Sequence, residues 1–209
     1  MTIRKLFPSA LLATVLMTSP LLAQEDGSDA DRRAEAVQRA EQIDALMTDL
    51  EARAASFPEV LEALRQGRAN IEQADETVAQ LIARLTEVTD AMEDDSEFDN
   101  AIDGYREETQ SLIDQAEASD NDAIRGVIPT LRDTLRSLDS DDRSRAETVI
   151  EARNVIAALE ENREAIAFFI RAGEVTRAAE LISTNVAEFG DIVARGRAVA
   201  TGIISAATP

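Results

Sequence analysis

The stretch Ile71–Met92, IEQADETVAQLIARLTEVTDAM, carries its apolar residues at Ile71, Ala74, Val78, Leu81, Leu85, Val88 and Met92, in alternating steps of three and four. Side chains so spaced share one face of an α-helix, and a repeat of seven is the spacing by which helices pack on helices. The rhythm extends upstream through Ile43, Leu46 and Leu50 and through Phe57, Val60 and Leu64, with Arg53 and Gly67 as weak positions. Near the other end Val175, Ile182, Phe189 and Ile192 repeat it, followed by Val199 and Ile203. The fold class that follows is all-α, with long amphipathic heptad-patterned helices forming an elongated antiparallel bundle or coiled coil. Periodicity does not choose between the two, because the same stripe serves partners within one chain or between chains.

Composition agrees. Hydrophobic residues make up 44%, charged residues 30% and aromatics only 3%, with 8 Gly and 5 Pro, so helix formers dominate and strand formers are scarce. Breakers divide the chain. Ser56 and Glu59 have the spacing of a capping box with Pro58 in a first turn, which predicts helices over about 28–55 and 57–92. The acidic run Glu93–Asp99 ends that second helix, and Ser96 with Asp99 is placed to cap the next, which runs to about Ala118. Ser119–Asp122 starts a fourth helix that Pro129 should kink or split, Asp139–Ser144 reads as a turn, and Gly173 separates a fifth helix from a sixth. The expected organisation is a leader over 1–23, an N-terminal helical or coiled-coil region over 24–92, and a C-terminal helical bundle region over 93–209.

The leader is read from Arg4 and Lys5, the apolar run Leu6–Leu22 and the small residue Ala23, the three parts of a secretory signal cleaved after Ala23. Pro8 and Pro20 leave too short a run for a spanning helix of about 20 residues. With no Cys there is no disulfide framework and no lipid-attachment thiol. A soluble periplasmic protein with no membrane insertion after cleavage is the expectation. Loss of Arg4 and Lys5 would take the net charge from −20 to −22. Such a polyanion repels nucleic acid and anionic lipid and favours cationic partners. Lys5 is the only lysine, so every later positive side chain is Arg.

Absence of His, Cys and Trp removes the commonest general base, imidazole and thiolate metal ligands, and every triad built on them. The sequence therefore points to no enzyme, no cofactor and no metal. The acidic turn fits a calcium loop poorly: aligning Asp99, Asp103 and Gly104 puts Ala101 and Gln110 where carboxylates are wanted, so a helix-capping cluster is expected instead. Glu35/Arg39, Asp49/Arg53, Asp139/Arg143, Asp141/Arg145 and Asp191/Arg195 are spaced for surface pairs one turn apart. Arg163 falls at a core-type position, where its stem should lead the charge out to water, and Asn185 at another, where it could specify register. Gly190, Ala194, Ala198 and Gly202 form a strip for close helix approach.

The function expected is an exported, non-enzymatic helical protein acting in protein–protein interaction or as a structural scaffold. Its assembly and packing residues would be Ile71, Val78, Leu81, Leu85, Val88, Val175, Ile182, Asn185, Phe189 and Ile192. The alternative is a periplasmic bundle that binds a small ligand or a client protein, as a sensor or chaperone does.

Overall fold

A computed structural model describes residues 28–67 and 71–207, and of residues 28–30, 57, 61, 64, 71, 185 and 186 it describes the backbone alone. The expected leader lies outside the described residues. Among them the protein is all-α, with seven helices: α1 Ser28–Ala55, α2 Phe57–Arg65, α3 Ile71–Met92, α4 Glu97–Ala118, α5 Asp122–Arg125, α6 Ile128–Arg171 and α7 Val175–Ala207.

The cross-helix contacts fix the topology. Arg84 on α3 meets Asp49 on α1, Arg39 on α1 meets Glu97 on α4, and Arg32 meets Glu107, so α3 and α4 together run antiparallel to α1. Arg163 meets Asp75, Arg145 meets Asp99 and Arg132 meets Glu117, so the same two helices run antiparallel to α6. Arg195 on α7 pairs with Glu151 on α6, and Arg197 with Glu51 on α1. The result is an up-down-up-down bundle of four rods: α1, the interrupted rod α3–α4, α6 and α7. At 1.5 Å per residue the 44 residues of α6 span about 66 Å. The short α2 packs on α3 and α7 at one end. At the other, α4 and α6 continue as a pair past the Arg32–Glu107 contact, and there Leu112, Ile124, Val127, Ile128, Leu131 and Leu135 are partly exposed.

One apolar cluster runs through the bundle, from Ala36, Ile43, Met47 and Leu50 on α1 to Val199, Ile203 and Ala207 on α7. Burying such side chains stabilises by roughly 1.5–3 kcal/mol each relative to leaving them in water. Thr89, Thr109 and Thr148 are buried among them, each with its hydroxyl hydrogen donated to the carbonyl four residues back, so no hydroxyl proton is left unpaired.

Several boundaries differ from the sequence reading. The expected helix over 57–92 is broken after Arg65, where Gly67 turns the chain at φ +64, a conformation glycine adopts without strain. Ser56 does not form the capping box: its hydroxyl donates to the carbonyl of Arg53. Pro129 marks a split, as its position implied: the expected fourth helix divides at Gly126–Val127 into α5 and α6, and the proline sits in the first turn of α6, where its missing N–H has no carbonyl to meet. Asp139–Ser144 is not a turn but part of the unbroken α6. The other signals hold. Ser96 Oγ accepts from the Asp99 N–H at 3.1 Å, Asn121 caps α5, and Gly173 turns the chain at φ +78.

Candidate functional site: a polar joint in a broken rod

The rod α3–α4 is interrupted by Glu93–Ser96, with Asp95 at φ +63. The break exposes the carbonyls that end α3 and the N–H groups that begin α4, and a helix end inside a bundle needs partners for both. Ser96 serves the second set, its hydroxyl oxygen accepting from the Asp99 N–H; around it Asp99 accepts from the Asp95 N–H at 2.9 Å, and the Asn100 amide donates to the carbonyls of Asp95 and Ser96. Arg145 on α6 supplies the first. Its guanidinium donates to the carbonyl of Met92, and it pairs with Asp94 at 3.1 Å, Asp99 at 2.6 Å and Asp142 at 2.9 Å.

Arg145 is only 3% exposed. Burial works against its charge, but the hydrogen bond to Asp142 and the charges of Asp99 and Asp142 outweigh it, and the side chain is held above the usual arginine range. Around it Arg106 ties Asp103, Asp139 and Asp142 together, and Arg153 meets Glu93. Those arginines answer the acids that read as a solvated turn. Among the described residues no cluster of acidic side chains is arranged to hold a metal ion.

The residues singled out for assembly fall as follows. Val78, Leu81, Leu85, Val88, Ile182, Phe189 and Ile192 are buried in the core of the single chain, and Val175 is partly buried against it. The side chains of Ile71 and Asn185 lie outside the described residues. Arg163 does not lead its charge out to water alone: it forms a forked pair with Asp75, and the Arg163 guanidinium holds the Asp75 carboxyl below its ordinary range. That pair stands over a shallow depression of about 210 Å³, solvent-open space included, lined by Ala74, Val78, Ile166 and Ile170.

The pairs one turn apart form in part. Asp49 and Arg53 meet at 2.7 Å and Glu35 and Arg39 at 4.0 Å. Arg195 turns instead to Glu151, Arg143 to the carbonyl of Asp139, and Arg145 inward, away from Asp141. Of the small-residue strip, Gly190, Ala194 and Ala198 are exposed, and only Gly202 lies in a close contact, against Asp141. One line over, Gly196 of α7 lies against the side chain of Met47 on α1.

The sequence reading placed Arg145 in a surface pair with Asp141; the signal it passed over is that Arg145 continues the stripe Leu138, Arg145, Val149, Ala152 at helical spacing. The carbonyl it caps was not legible, because a helix end is revealed only by the fold around it. No family model, no curated protein and no solved structure matches this chain.

Proposed function

We propose that this chain is an exported, non-enzymatic helical protein that acts by contact with another protein or as a structural scaffold. The observation that supports this is the division of the rods between an apolar inside and an acidic outside. The stripes of α3 and α7 are consumed in the chain's own core. The outward face of the α3–α4 rod presents Glu72, Glu76, Glu87, Asp90, Asp103 and Asp114 and, among the described residues, no exposed arginine, in a chain of net charge −20. A long anionic surface of this kind steers a cationic protein partner and rejects anionic ones. The depression beside Arg163 gives less support to a ligand-binding bundle, since most of its space is open to solvent and it encloses almost none between its walls.

Photo-cross-linkers placed at the exposed positions Asp90 and Glu161 in the native cell should give discrete protein adducts whose yield falls as salt rises. No adduct from any outward position would remove this reading. Export is tested separately: the mass of the protein from its native host should correspond to a chain beginning at Gln24, and a chain retaining residues 1–23 would contradict it.

A further inference from the structure

We infer that Asp141 is a protonation-controlled latch on the seam between α6 and α7, closing that end of the bundle in its neutral form and loosening it when ionised.

Asp141 lies on α6, partly buried, with its carboxylate pressed against the backbone of α7 at Gly202. A Cβ at Gly202 would stand 2.4 Å from Oδ2 and 2.5 Å from Oδ1, so the carboxylate occupies the place of a side chain there. The opposing stretch of α7, Ala198–Ala207, contains no charged residue. It is also the C-terminal end of that helix, where the macrodipole is negative and an anion is disfavoured. Among the described residues the one hydrogen bond to the carboxylate is a long one, 3.4 Å from Ser137 Oγ.

The arginines on the neighbouring elements are bound elsewhere. On α6, Arg145 reaches inward to Asp94, Asp99 and Asp142, and Arg143 donates to the carbonyl of Asp139. On α4, Arg106 is shared among Asp103, Asp139 and Asp142. On α1, Arg33 donates to the carbonyl of Ala207, and the Tyr105 hydroxyl of α4 donates to that of Ala206. Glu108 on α4 adds a further acid at this end. Burial accordingly raises the Asp141 carboxyl above its ordinary range, with the Ser137 hydroxyl opposing.

The sign follows from linkage. A carboxyl whose pKa is higher folded than unfolded stabilises the fold fully below the unfolded value, and that stability is lost as pH rises through the folded value. Because α1 and α4 both hold the last carbonyls of α7, the consequence of loosening Asp141 is felt by three rods together.

The test compares the protein with Asp141→Asn, which keeps the shape and removes the charge. The variant should have the higher urea midpoint at pH 8, and its advantage should shrink as pH falls through the carboxylate range. Amide exchange over Ala198–Ala207, corrected for intrinsic rate, should slow on acidification in the parent by up to about tenfold for each unit by which the carboxyl is raised, and not in the variant. A carboxyl-carbon NMR titration should place Asp141 above an ordinary aspartate. A variant less stable at pH 8 or unable to fold, an advantage independent of pH, or an Asp141 titration at or below the ordinary value would each overturn the latch.

Discussion

Arg145 and Arg163 both pair with aspartates across helices, yet their surroundings are unlike. Arg145→Met would strand the nearly buried Asp99 beside an uncapped Met92 carbonyl, and a loss of about 3 kcal/mol is expected from urea denaturation. The side chains of Arg163 and Asp75 are 42% and 39% exposed, so Arg163→Met should cost less than about 1 kcal/mol in the same measurement. The pH dependence of Asp75 and Asp49 opposes that of Asp141. The side-chain hydrogen bonds of Arg163 and Arg53, respectively, lower the two carboxyls, so their contribution is present above the ordinary value of 3.8 and lost as pH falls through the lowered one. Asp75→Asn should therefore make stability fall less steeply with acid below about pH 4. Such roles were hard to read in advance because an aspartate four residues from an arginine looks the same whether the arginine turns outward or, like Arg145, inward.

Among the helices, α6 departs furthest from what local signals suggest. Asp139, Ser140, Asp141 and Asp142 favour a turn because their short polar side chains compete for nearby backbone groups. In the bundle, Arg106 of α4 engages Asp139 and Asp142 from the side, Arg145 holds Asp142 from one turn on, and the helix runs through. Tertiary partners 33 residues or more away in the chain were invisible to a reading of spacing. The glycines of α7 show the same limit. Gly190 has nothing within 4 Å of an added Cβ, and Gly190→Ala should stabilise by about 0.5–1 kcal/mol through helix propensity. At Gly196 an added Cβ would lie 2.0 Å from Met47 Cε, and although that flexible end can move, Gly196→Ala should destabilise by roughly 1 kcal/mol. Thermal unfolding of the two variants, with shifts of opposite sign, checks both.

At the scale of the molecule, the apolar stripes were legible and their partners were not. Leu81, Leu85, Val88, Ile182, Phe189 and Ile192 reach the core as their spacing implied, while the same spacing was equally open to a coiled coil between chains. Leu85 is fully buried, so Leu85→Ala should cost about 3 kcal/mol, and Asp at both Leu81 and Leu85 should abolish cooperative unfolding. Full helicity in the double variant would show that these rods do not depend on that core. The central feature of the molecule is a set of four antiparallel rods with α6 unbroken. Since the chain has no native Cys, spin labels on cysteines introduced at the exposed positions Asp133 and Glu164 report the distance without interference. Pulsed electron resonance should find a narrow distribution near 46 Å, about 1.5 Å for each intervening residue of one continuous helix. A distance well below 30 Å, from a chain folded back at Asp139–Ser144, would contradict it.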